Sequence, residues 1–188
     1  CALPIYINVE SGPRVRVERI DIVGNEKTKD EVIRREFRQY EAAWYDGERI
    51  RLSRDRVDRL GFFTEVNVET QEVPGAPDQV DLVVNVVEKP TGSLQLGAGF
   101  SSAEKLSFSF AIKQENIFGS GNYLGVDVNT SKFKRTLVFS TTDPYFTRDG
   151  ISRTVDLYYR TDKPYEDQGG NYELVTTGGG LRFGVPDR

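Results

Sequence analysis

Side-chain catalysis needs a nucleophile, a base and a group that orients them, and this chain offers few candidates. It has no histidine and a single cysteine, Cys1. Ser–His and Cys–His pairs, zinc sites of His and Cys ligands, and an internal disulfide are therefore excluded. Asp143 and Asp149 flank one turn, where two loop carboxylates read as solvated groups rather than an acid–base pair. Glycines cluster at Gly97-Ala98-Gly99 and Gly178-Gly179-Gly180. No Lys-Ser/Thr follows either cluster, so they read as slim residues on curved strands and not as a phosphate cradle. No enzyme activity, metal or cofactor is expected. Cys1 runs directly into Ala2-Leu3-Pro4-Ile5 without a tether, and reads as a trimming residue rather than a lipidated terminus. The basic run Arg34, Arg35 and Arg38 reads first as a solvated face with Glu31 and Glu41 as partners. Its functional alternative is a docking face for an acidic or mixed partner surface.

The chemistry that remains is main-chain pairing. An edge strand offers unpaired N–H and C=O groups to an incoming strand. Two segments qualify, Glu65–Val73 and Gly92–Phe100. If Gly92–Phe100 is the first strand of a closed barrel, its glycines weaken the seam with the last strand. The alternative is that Gly97 and Gly99 only permit curvature, and both readings stay open.

The elements that position these edges differ between the two halves. Residues 1–90 carry 14 basic and 18 acidic side chains, with 5 glycines and 7 aromatics. Residues 91–188 carry 11 of each charge, 13 glycines and 14 aromatics. This shift places a domain boundary near Lys89-Pro90-Thr91-Gly92. The first half opens with Leu3–Val9, then Val15–Val23 with a register slip at Glu18-Arg19, ended by Gly24-Asn25. Thr28 and Glu31 form a capping box. The spacing of Ile33, Phe37, Tyr40 and Trp44 predicts one amphipathic helix. Asp46-Gly47 starts a second helix with Ile50, Val57 and Leu60 inward, stopped at Gly61 with Phe62 beyond. Glu65–Val73 alternates, with Val66 and Val68 opposite Asn67 and Glu69, and reads as an edge. After the turn Pro74–Asp78, Val80–Glu88 is valine-rich on both faces and reads as internal. The predicted order is β-α-α-β-β, an α+β domain.

The second half reads as an all-β antiparallel meander of about six strands. Leu94, Leu96, Ala98 and Phe100 alternate with Ser93, Gln95, Gly97 and Gly99. Leu106, Phe108, Phe110 and Ile112 face outward, and Leu137 and Phe139 do the same further on. A soluble sandwich gives this alternation too. Three features favour a transmembrane β-barrel instead. The polar faces are small and wet. Aromatics such as Phe118, Tyr123, Tyr145, Phe146, Tyr165 and Tyr172 cluster near strand ends. The loops alternate in length, Gly119–Asn122 tight and Thr161–Asn171 long. Six strands fall short of the ~8 that close a membrane barrel, so the barrel is expected to be incomplete. The net charge of −4 and a pI near 5.1 argue against nucleic-acid binding.

Six motifs then carry a resemblance. Ile22-Val23-Gly24-Asn25 with Lys27-Thr28, Glu31-Val32-Ile33-Arg34-Arg35-Glu36 and Leu60-Gly61-Phe62-Phe63 resemble a polypeptide-transport-associated (POTRA) domain. Val87–Gly92 running into Gly97–Ser101 resembles the junction of the last such domain with the barrel of the BamA family, the outer-membrane β-barrel assembly factors of Gram-negative bacteria. Asn116–Gly121 and Asp143-Pro144-Tyr145-Phe146 are similar to that barrel's early turns. Residues 1–14 resemble the tail of a preceding POTRA domain, 15–90 a POTRA domain and 91–188 the start of the barrel.

The resemblance implies non-enzymatic folding and insertion of outer-membrane proteins, with the POTRA domain in the periplasm. It implies unfolded outer-membrane proteins, accessory lipoproteins and membrane lipid as partners. It makes Gly92, Ser93, Leu94, Gln95, Leu96, Gly97, Ala98, Gly99 and Phe100 the gate strand. Glu65, Val66, Asn67, Val68 and Glu69 become an augmentation edge, and Arg34, Arg38 and Glu41 lipoprotein contacts. Leu106, Phe108, Phe110, Ile112, Leu137 and Phe139 become lipid-facing. A sister-family translocation or secretion pore, or a soluble all-β binding module, are the alternatives.

Overall fold

The structure, a computed structural model, describes residues 14–102, 105–163 and 172–185. The expected strand Leu3–Val9, Cys1, Tyr165 and most of the Thr161–Asn171 loop lie outside the described residues. The chain divides into two compact units, Cys1–Asn25 with Ile33–Glu88, and Glu26–Val32 with Lys89–Arg188.

The first unit is built on strands β1 (Arg16–Val23), β2 (Phe63–Glu72) and β3 (Gln79–Glu88), in the order β1-β3-β2. Helix α1 spans Asp30–Arg34 and α2 spans Gly47–Arg59, so the chain order is β-α-α-β-β as expected. The valine-rich β3 is central. Val80, Leu82, Val84 and Val86 are buried, β1 pairs it in parallel and β2 pairs it antiparallel. Between Val17 and Ile20, β1 takes three steps against two on β3, the bulge expected at Glu18-Arg19. Asp46 caps α2 by accepting from the Glu48 and Arg49 amides at 3.0 and 3.3 Å. On the first turn Glu48 also accepts from Arg51 at 2.8 Å, which raises the Arg51 guanidinium further above its ordinary value. Gly61 ends α2 at φ +74°, and Phe62 is buried just beyond.

One predicted element is corrected. Ile33, Phe37, Tyr40 and Trp44 do not share a helix. Helix α1 stops at Arg34, Ile33 and Phe37 are buried, and Tyr40 and Trp44 are half exposed. The reason is Gln39, which is fully buried. Its Nε2 donates to the Tyr40 and Trp44 carbonyls at 3.2 and 3.0 Å, and its Oε1 accepts from the Asp46 amide at 3.2 Å. That side chain satisfies backbone groups that helix bonds would otherwise take. Ser53 of α2 adds to the anchor, accepting from the Arg38 amide at 2.8 Å and donating to the Arg49 carbonyl at 2.7 Å.

The second unit carries a six-stranded antiparallel meander. Its strands are β4 (Gly92–Ser101), β5 (Lys105–Gln114), β6 (Tyr123–Ser131), β7 (Lys134–Asp143), β8 (Ser152–Asp162) and β9 (Leu174–Gly184), each paired with the next in the chain. The tight turn between β5 and β6 is closed by Asn116, whose Oδ1 accepts from the Gly121 amide at 2.8 Å. Asn116 Nδ2 donates to the Thr28 hydroxyl at 2.7 Å, and the Lys29 amide donates to the Gly119 carbonyl at 3.0 Å. Gly119 sits at φ +70°, and a Cβ there would overlap the Lys27 carbonyl. Both its backbone angle and its close neighbour therefore require glycine.

Candidate strand-pairing edges and the apolar sheet face

Strand β4 is one edge of the meander and β9 the other. All ten residues of β4 are exposed. Its inner neighbour β5 pairs it in perfect register, from Gly92 opposite Gln114 to Ser101 opposite Lys105. Gly97 faces Ser109 and Gly99 faces Ser107. A Cβ on Gly97 would overlap the Ser109 hydroxyl, and the Ser107 hydroxyl donates to the Gly99 carbonyl at 3.2 Å. The β5 serines thus lean over bare β4 backbone. The polar side of β4 carries Ser93, Gln95 and Ser101 as side chains, with bare backbone at Gly97 and Gly99 between them.

The register sorts the two faces. One face holds the row Leu94, Ile112, Val126, Phe139 and Leu157, and beside it Leu96, Phe110, Val128, Leu137 and Tyr159. Leu106 and Phe108 continue it opposite Phe100 and Ala98. Leu96 and Phe100 are about three-quarters exposed, Leu94 is 61% and Phe108 51% exposed, and Phe110 and Phe139 are half-buried. All six residues expected to face lipid lie on this one face. The other face holds Ser93, Lys113, Gly125, Ser140 and Asp156, then Gly97, Ser109, Asn129, Thr136 and Arg160. There Asp156 accepts from Ser140 and from Arg182, both at 2.7 Å. An exposed apolar face of this extent marks a surface that meets a membrane or another protein.

In the first unit, β2 is an edge, paired on one side by β3. Val66 and Val68 are half-buried, while Glu65, Asn67 and Glu69 are exposed. Arg34 and Glu41 come together, their side chains bonded at 3.0 Å, but both are turned onto β1. Arg38 is exposed and apart from that pair. The anchoring roles of Gln39 and Ser53 escaped the sequence reading. A buried amide beside a helix that stops early leaves no periodic signal.

The comparisons with known proteins bear on both units. Residues 15–89 match the POTRA family model, described as a surface antigen variable number repeat. Residues 116–188 match the Omp85 superfamily domain. The two halves thus match, in chain order, a POTRA repeat and an Omp85 superfamily domain. The chain is similar to the outer membrane protein assembly factor BamA of Neisseria meningitidis, 39% identical over 96% of this chain and 23% of that protein. BamA of Buchnera aphidicola is 31% identical over 86% of this chain and 26% of that protein. A crystal structure of BamA from Haemophilus ducreyi lacking POTRA domains 1–3 superposes with a TM-score of 0.78 at 32% identity, over 93% of this chain and 33% of that one. CdiB from Acinetobacter baumannii, at 13% identity and a TM-score of 0.56, shares the fold alone, over 90% of this chain and 33% of that one. The chain thus spans about a quarter of the curated relatives it matches. The expected fold, a POTRA domain followed by a meander like the strands of the BamA barrel, is what the structure shows.

Proposed function

We propose that this chain is the strand-templating segment of an assembly factor that folds and inserts β-barrel proteins into the bacterial outer membrane. The observation that carries the reading is β4. It is a ten-residue, wholly exposed edge strand whose inner side is paired throughout and whose polar face is bare backbone at Gly97 and Gly99. A main chain of that kind fits an incoming strand of any sequence, because backbone pairing carries the affinity. The apolar face beside it faces lipid, through Leu106, Phe108, Phe110, Ile112, Leu137 and Phe139. The POTRA unit lies in the periplasm, receives unfolded chain along Glu65–Glu69 of β2, and offers Arg38 to an accessory lipoprotein. No step needs a nucleophile, which agrees with a chain without histidine.

The test separates backbone from side-chain recognition. The intact protein in lipid vesicles should insert a urea-unfolded eight-stranded barrel, and a peptide copying that barrel's last strand should slow insertion. The same peptide N-methylated at alternate residues, which lacks donors for one edge, should not. Equal inhibition by both peptides, or by neither, contradicts templating by β4.

A further inference from the structure

The sheet of the POTRA unit has two edges, and they are not equivalent. The β2 edge has no cover among the described residues. The outer edge of β1 is closed along most of its length. At its start, residues 42–45 run antiparallel to it. The Ala42 amide donates to the Val17 carbonyl at 2.8 Å, the Val17 amide to the Ala43 carbonyl at 3.0 Å and the Tyr45 amide to the Val15 carbonyl at 3.0 Å. Next comes the bulge at Glu18-Arg19, which breaks the regular ladder. At Ile20 two side chains replace a neighbouring strand. Glu41 Oε1 accepts from the Ile20 amide at 3.0 Å, and Arg34 Nη2 donates to the Ile20 carbonyl at 3.0 Å. Arg34 Nη1 and Glu41 Oε1 close the ring at 3.0 Å.

A carboxylate that takes an edge N–H and a guanidinium that takes the same residue's C=O reproduce what one residue of an added strand would offer. We propose that Arg34 and Glu41 form a displaceable cap on β1, which directs extended unfolded polypeptide to the β2 edge and keeps it from β1. The occupant excluded is another main chain, because an extended backbone offers the same acceptor and donor that the pair supplies to Ile20. The pair is suited to displacement: its two side chains are 42% and 46% exposed, so their attraction is weak in water. Beyond Ile20 the outward main-chain groups of β1 continue at Ile22, next to the exposed Val23, so that removing the cap lengthens the available edge. The proposal rests on the reading that β2 accepts strands, and the test separates the two.

The intact protein, in vesicles without lipoproteins, would carry a photocrosslinking residue at Val23 or at Asn67, with a urea-unfolded eight-stranded barrel as the probe. The expected result is crosslinking from Asn67 and not from Val23 in the parent. Glu41→Ala and Arg34→Ala should each bring Val23 crosslinking up to the Asn67 level. Amide exchange at Ile20 should rise at least tenfold in Glu41→Ala, while exchange at Leu82 and Val84 of the central strand stays at the parent rate and certifies the fold. Should the central strand loosen, Glu41→Gln, which keeps an acceptor for Ile20 but loses the charge, takes its place, with partial opening expected. Val23 crosslinking that is equal in parent and variants overturns the cap. Crosslinking from Asn67 with none from Val23 in any variant also overturns it. Val23 crosslinking gained in the variants with none from Asn67 supports the cap and overturns strand capture at β2. No crosslink at either site overturns both.

Discussion

At the scale of single residues, the chain's uncommon buried polar groups hold backbone in place. Gln39 is the clearest case, since one amide serves the Tyr40 and Trp44 carbonyls and the Asp46 amide. Removing it takes the side-chain partner from the Trp44 carbonyl and the Asp46 amide in a part-buried site, while the Tyr40 carbonyl keeps the Ala43 amide at 3.4 Å. Each buried unsatisfied group costs about 1–3 kcal/mol. Gln39→Ala should therefore destabilise the POTRA unit by about 2–4 kcal/mol, read as a loss of amide protection over residues 38–46 and β1 in the intact protein. Gln39→Glu should cost at least as much, since a carboxylate cannot donate to the two carbonyls. This anchor was not legible in the sequence. The Ile33, Phe37, Tyr40 and Trp44 spacing fitted a helix, and only the three-dimensional position of Gln39 shows why the helix ends at Arg34. Glu41 was readable as a charge partner of the Arg34 run, but the pair's backbone target, Ile20, was hidden, because it is 14 and 21 residues away.

At the scale of elements, more was legible. Alternation of apolar and polar residues placed all six strands of the meander, and the faces follow from register alone once neighbours are paired in sequence order. The slip at Glu18-Arg19 and the stop at Gly61 were readable because bulges and left-handed caps are local. The valine-rich β3 was readable as central, although only its Val80, Leu82, Val84 and Val86 face is fully buried and Val87 on the other face is exposed. What alternation does not say is which phase lies against the apolar face. Two substitutions on facing sides answer that. Leu137, mid-strand on the apolar face, should accept arginine only at a cost of about 2–4 kcal/mol if that face meets hydrocarbon. Asn129→Lys, on the polar face, should cost less than about 1 kcal/mol because its charge stays in water. The comparison is made by urea unfolding of the intact protein in lipid vesicles. Equal costs at the two sites contradict a lipid-facing assignment.

At the scale of the whole molecule, the two units share one physical feature. Each presents a sheet edge, one in a small α+β domain and one in a strand meander. The POTRA unit has one edge closed by residues 42–45, a bulge and an ion pair, and the other left open. Among the described residues of the meander, β4 is an edge with bare backbone at Gly97 and Gly99. The division is visible in the composition, where glycines and aromatics gather after residue 90 and the net negative charge stays before it. The most direct measurement is disulfide crosslinking in the intact protein. Single cysteines at each position from Ser93 to Phe100 would be paired with cysteines in the last strand of an outer-membrane protein caught during assembly. The account predicts crosslinks in one antiparallel register, each position along β4 meeting one position on the incoming strand. Absence of crosslinks from β4 while the client assembles at the normal rate would contradict it, as would crosslinks without register.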